Sequence, residues 1–252
     1  MHEVLRTLWF LRAVSAETIA DSWLPSAAFL MKPVSHGKPF GASVGLGYSA
    51  TTGLTATRTV DSQDEAFYED GLWRYAGRFS YNYVSAAARV SANRLVLDSS
   101  AERFLSRGKA NFLLVSVRFD RNPASGYAHY MVEAVGAGHR IFHSPRMGLK
   151  IEGGAGMRQN HYVNGAYADV PALRAALDYR WDLSGQSVFT ERLGVLVART
   201  GTLYSTDTSL SAPLAGALAL KLSEVVDRYT SAPAGFPRTS TFSTINLLYH
   251  FP

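Results

Sequence analysis

The stretch MGLKIEGGAGMR (residues 147–158) and the stretch LRAALDYRWDL (residues 173–183) both alternate with a period of two. In the first, Met147, Leu149, Ile151, Ala155 and Met157 fall on one side, and Lys150, Glu152 and Arg158 on the other. In the second, Leu173, Leu177, Tyr179, Trp181 and Leu183 are set against Arg174, Asp178, Arg180 and Asp182. Successive side chains of an extended chain point to opposite faces, so this period predicts strands with one apolar and one charged face. Trp73 to Tyr83 repeats the pattern, with Trp73, Tyr75, Phe79, Tyr81 and Tyr83 against Arg74, Arg78 and Asn82.

Weaker alternation spans Ala42–Ser49, Leu54–Val60, Arg89–Asp98, Lys109–Asp120, Tyr127–Arg140, Ser187–Arg199, Leu203–Ala212, Ala217–Tyr229 and Thr239–Phe251. Turn formers separate nearly all of these runs: Thr52-Gly53, Asn122-Pro123, Ser144-Pro145, Asn164-Gly165, Ser184-Gly185, Thr200-Gly201 and Pro213 to Gly216. The expected fold is all-β, an antiparallel up-and-down barrel of about twelve strands over residues 41–252, behind an N-terminal segment 1–40. At about 18 residues per strand with its connection, the strands exceed those of a soluble sandwich and match the 9 to 11 residues that cross a bilayer. The acidic stretch 61–72 and residues 99–108 read as connections.

Composition removes several classes. The chain has 252 residues, 47% hydrophobic and 18% charged, with no Cys, which excludes disulfides, thiolate metal sites and cysteine catalysis. The longest run free of Asp, Glu, Lys and Arg, Thr239 to Pro252, is too short for a transmembrane helix. Although the net charge is +5, Lys and Arg are scattered singly, so no stripe suited to nucleic acid forms. At the N-terminus, Arg12 interrupts the apolar Thr7 to Leu11, which leaves residues 1–40 as an extension or a degenerate export signal.

Two architectures fit the alternation: a soluble barrel with its apolar face inside, or a membrane barrel with that face outside. Aromatic residues near strand ends (Trp73, Tyr83, Tyr127, Trp181, Tyr229) favour the second, in which girdles mark the interfaces. So does the last strand, whose outward set Ile245, Leu247, Tyr249 and Phe251 has the aromatic end that outer-membrane assembly machinery reads.

Several segments resemble the DUF481 family of salt-induced, YdiY-like outer-membrane proteins. They are Leu220-Lys221-Leu222-Ser223, Tyr229 to Gly235, Thr239 to Thr244 and Leu248 to Phe251, with Gly41 to Tyr48 similar to the family's first hairpin. Thr52-Gly53-Leu54 stands where that family usually has Gly-Asn-Thr. The resemblance implies an outer-membrane β-barrel of a Gram-negative bacterium, surrounded by outer-membrane lipid and folded by the barrel-assembly machinery. It implies no catalytic residues and no cofactor.

With the apolar faces on lipid, the interior receives Arg74, Arg78, Arg118, Asp120, Lys150, Glu152, Arg158, Arg174, Asp178, Arg180, Asp182, Lys221 and Asp227. Those eight basic and five acidic groups suggest either a salt-bridge network filling the barrel or a narrow pore that prefers anions. Catalytic arrangements fare worse. His143 and Ser144 are adjacent on a strand and point apart, His139 and His143 lie about 13 Å apart along one, and Asp178 and Asp182 have Arg174 and Arg180 beside them. The expectation is a non-catalytic barrel, structural or tied to envelope stress. The alternatives are an anion-preferring or small-solute channel and a soluble periplasmic lipid- or ligand-binding barrel.

Overall fold

The computed structural model describes residues 40–51, 57–86, 89–144, 146–183, 187–236 and 238–251. The expectations for residues 1–39 lie outside the described residues. The first six strands are β1 (Phe40–Thr51), β2 (Thr57–Asp70), β3 (Trp73–Ala86), β4 (Arg89–Phe104), β5 (Asn111–Asn122) and β6 (Tyr127–His143). The other six are β7 (Met147–Tyr162), β8 (Tyr167–Asp182), β9 (Val188–Ala198), β10 (Gly201–Ala215), β11 (Leu218–Tyr229) and β12 (Thr239–Phe251). A 3-10 turn, Pro123–Ser125, lies between β5 and β6. Every strand pairs antiparallel with its sequence neighbours, and β1 pairs with β12 from Ala42 opposite Phe251 to Leu46 opposite Leu247. The sheet therefore closes into a twelve-stranded barrel with no free edge. Phe40 and Phe251 mark what we term the terminal rim; the opposite end is the far rim.

β2 and β4 run through stretches expected to be connections. β2 does not end at Val60 but continues through the acidic stretch to Asp70, and β4 continues past Asp98 to Phe104. The connections shrink to Gly71-Leu72 and to residues 105–110. The physical reason is visible in β2. Its outward positions Val60, Ser62, Asp64, Ala66 and Tyr68 mix polar with apolar residues, so no apolar face announces the strand. Its inward positions Asp61, Glu65 and Glu69 are held by the strand beside it, where Glu65 lies opposite Arg78 and Glu69 opposite Arg74. Of the connections, only residues 230–238 form a loop longer than six residues.

The glycines of β6 and β7 let these neighbouring strands, and the ring on β5, approach unusually closely. A Cβ at Gly156 would lie 1.7 Å from the carbonyl oxygen of Glu133, and one at Gly138 would lie 2.1 Å from Cζ of Phe112. Gly138 thus makes room for the Phe112 ring, which closes against Phe104, Leu114 and Leu72 near the terminal rim. Gly156→Ala is expected to force β6 and β7 apart and to destabilise the folded barrel by about 3 kcal/mol. Urea unfolding of the detergent-folded protein, followed by tryptophan fluorescence, measures this; an unchanged midpoint would contradict it.

Candidate functional site: the ion-paired interior

The alternation sends the charges inward. All thirteen interior candidates, Arg74, Arg78, Arg118, Asp120, Lys150, Glu152, Arg158, Arg174, Asp178, Arg180, Asp182, Lys221 and Asp227, are buried or half-buried on the inner wall. Nine further charged groups face inward with them: Asp61, Glu65, Glu69, Arg94, Asp98, Glu102, Arg140, Arg192 and Asp207. Among the described residues the interior therefore holds eleven basic and eleven acidic side chains, and the basic excess counted from the sequence is gone. The difference comes mostly from β2 and β4, whose acidic ends carry no amphipathic pattern of their own.

Near the terminal rim, Lys150 is the hub. Its Nζ lies 3.1 Å from Glu102 Oε1, 3.1 Å from Glu152 Oε2 and 3.2 Å from Asp178 Oδ2, which joins β4, β7 and β8. Arg174 pairs with Glu152 and donates to Ser116 Oγ at 3.1 Å, while Arg140 reaches Glu102 at 3.5 Å and lies over the Phe104 ring. Lys109, from the β4–β5 connection, pairs with Glu69 at 2.5 Å. Arg180 pairs with Asp182, so of the two inward aspartates of β8 one serves Lys150 and the other an arginine two residues away.

At mid-barrel a square of four charges spans the interior. Arg78 on β3 meets Asp207 on β10 at 3.4 Å and Glu65 on β2 at 3.9 Å, while Arg192 on β9 meets Glu65 at 3.6 Å and Asp207 at 3.5 Å. β2 and β9, like β3 and β10, stand five strands apart around a ring of twelve, so the Arg192–Glu65 and Arg78–Asp207 pairs bridge nearly opposite walls. Beside the square, Lys221 donates to Gln63 Oε1 at 3.1 Å, and Asn246 donates to Asp61 at 2.8 Å. Toward the far rim, Asp120 accepts from Arg94 at 2.6 Å, from Arg118 at 2.9 Å and from the Tyr130 hydroxyl at 3.1 Å.

An apolar layer caps the far rim. Tyr127, Tyr130, Val132, Leu196, Leu203 and Tyr229 form one buried cluster, and Arg158 lies over the Tyr127 and Tyr130 rings. The loop 230–238 crosses above it. A Cβ on Gly126, whose φ is +89°, would meet the Phe236 ring at 2.9 Å and Pro233 at 3.0 Å, so the β11–β12 loop rests on the β5–β6 turn across the mouth. Lys150, Asp178, Asp120, Asp227 and Asn246 are 0% exposed, which leaves no water-sized access to these parts of the inner wall. The interior is a layered plug: apolar, ionic, apolar.

A family model described as "Protein of unknown function, DUF481" matches residues 44–251. The chain belongs to the DUF481 family. It is also 25% identical over 225 residues to a protein of Escherichia coli (strain K12) named "Uncharacterized protein YdiY", which covers 86% of this chain and 85% of that one. The DUF481 barrel shares its fold with the COG4313 outer-membrane channel from Pseudomonas putida F1. The TM-score is 0.51 at 12% identity, over 92% of this chain and 100% of the other. It likewise resembles the NanC porin, with a TM-score of 0.50 at 8% identity over 84% of this chain and 100% of that one.

Tyr127 and Tyr229, expected at a membrane-facing girdle, instead face inward as part of the plug of this DUF481 barrel, whereas Ile245, Leu247, Tyr249, His139 and Ser144 lie outside it. Ile245, Leu247 and Tyr249 are exposed on the outer wall of β12, which ends at Phe251 beside β1. His139 sits on the outer wall with Nδ1 2.7 Å from Asn111 Oδ1. Ser144 begins the β6–β7 turn, where its hydroxyl meets the Met147 backbone at 3.0 Å.

Proposed function

We propose that the protein is an integral outer-membrane barrel of a Gram-negative bacterium, closed at rest and non-catalytic, with a structural or envelope-stress role. The observation that carries this reading is its inverted polarity. Twenty-two charges are turned inward and most of them are paired there, while Leu113, Val115, Val135 and Leu173 are each more than half exposed on the outer wall. Water on both sides would reward the opposite arrangement. Every exposed arginine among the described residues lies in a turn or within two residues of a strand end: Arg58, Arg103, Arg107, Arg121, Arg146, Arg199, Arg228 and Arg238. Phosphate headgroups at both faces of a bilayer suit that distribution, since an arginine on a barrel's lipid face costs about 2–4 kcal/mol at the midplane and little near the interfaces. Strand length agrees, because twelve residues tilted by about 40° rise roughly 30 Å.

Catalysis is disfavoured because the buried titratable groups are engaged in ion pairs rather than aimed at a substrate-sized space. The outward Ile245, Leu247 and Tyr249 with Phe251 are proposed as the signal for the assembly machinery, and lipid as the principal partner. Two measurements test the reading. The protein is expected to stay with membranes through a carbonate wash, and to migrate differently on a gel before and after boiling. Recovery in plain buffer without detergent would overturn it in favour of a soluble barrel.

A further inference from the structure

The outer wall is not uniformly apolar. Across β9, β10, β11 and β12, Glu191, Thr208, Glu224 and Ser243 stand in direct register near mid-height, all on the outer face. Thr208 donates to Glu191 at 2.6 Å. Glu224 and Ser243 are exposed and have no hydrogen-bond or ion-pair partner among the described residues. Around that pair lie Leu222, Val226, Ile245 and Leu247; Ile245 is 58% exposed. Thr241 adds a further outward hydroxyl on β12.

Lipid tails offer a carboxylate and a hydroxyl no partner, and polar groups at membrane depth are costly unless another protein surface meets them. Glu133 also faces outward, but it stands alone between Val117 and Met157, without a hydroxyl opposite. The β11–β12 face differs because it carries an acceptor and a donor side by side. That makes it self-complementary under a two-fold axis parallel to the barrel.

We propose that the outer wall of β11–β12 is the interface of a homodimer in the membrane, with Glu224 of each copy accepting from Ser243 of the other. The two hydrogen bonds lie at the centre, and Leu222, Ile245 and Leu247 close around them and exclude lipid. The occupant is a second copy because a two-fold axis between the strands satisfies both unpartnered groups at once. A partner of another kind would have to supply both a donor and an acceptor at this spacing. The proposal rests on the membrane reading above.

The test uses the full chain folded in mild detergent, with mass measured by light scattering during gel filtration. The expected result is a dimer for the wild type. Ser243→Glu, which sets four carboxylates around the axis, should give a monomer, and the double exchange Glu224→Ser with Ser243→Glu should restore the dimer. Boiled and unboiled gel mobility confirms that each variant is folded. Because the chain has no Cys, Thr241→Cys gives a single thiol, and a short bis-maleimide should link two copies of that variant in native membranes. A folded, carbonate-resistant wild type that is monomeric and gives no cross-link overturns the interface and leaves the membrane reading intact. A wild type that is soluble without detergent overturns both. A dimer that survives Ser243→Glu overturns the assignment to this face.

Discussion

Lys150→Met should destabilise the folded barrel by about 4 kcal/mol, because it removes the one cation that three buried carboxylates share. Glu102, Glu152 and Asp178 come from three strands and all approach Lys150 Nζ within 3.2 Å, at a site with no exposure. After the substitution Glu102 retains Arg140 and Glu152 retains Arg174, whereas Asp178 loses its ion pair with Lys150. Methionine fills most of the volume, so the loss reports the stranded charge rather than a cavity. Adding Asp178→Asn removes that charge and should recover more than half of the loss, which a double-mutant cycle of urea midpoints would read directly. A loss below about 1 kcal/mol would mean that the site is wet, because exposed ion pairs are worth no more than that.

The same cluster shows which parts of the molecule were legible in the amino-acid order. β7 and β8 keep small or apolar residues on one face and place charges on the other, so Lys150, Glu152, Arg174 and Asp178 could be placed inside from period alone. Glu102 could not. It lies in the part of β4 beyond Asp98, where Ser99, Ser100 and Ala101 blur the alternation, and its inward direction follows only from pairing with Leu114 of β5. β2 is the stronger case. Asp61, Glu65 and Glu69 have the right spacing for one face, but Arg58, Ser62, Asp64 and Asp70 on the other face leave no amphipathic contrast. A strand that is polar on both sides is stable here because β3 supplies Arg74 and Arg78 beside it and Arg192 reaches it from across the barrel. That information is tertiary, and no local window contains it. It also bears on function. An interior with surplus arginine suggests anions, whereas a balanced one has no such preference and closes on itself.

The closure makes the second large prediction. The wild type should give no conductance steps in a planar bilayer, whereas Arg78→Ser with Arg192→Ser should give steps that favour cations. Both guanidiniums bridge Glu65 and Asp207 at 3.4–3.9 Å, and the four groups span walls almost opposite one another. Removing both cations takes out the widest side chains of the square and leaves two carboxylates facing across the gap. Uncompensated carboxylates in a dry interior are costly, and water with cations entering from the rims is the cheapest relief. Ion selectivity then follows the sign of the charges left behind. The far rim remains capped by Tyr127, Tyr229 and the loop that seats Phe236 on Gly126, so openings of the double variant should be brief. Phe236→Ser in the same background removes the ring that seats the loop and should lengthen them. A double variant that folds, shifts on the unboiled gel and still passes no current would show that the square does not control the path. Steps with anion preference would show that the remaining arginines, not Glu65 and Asp207, set the field.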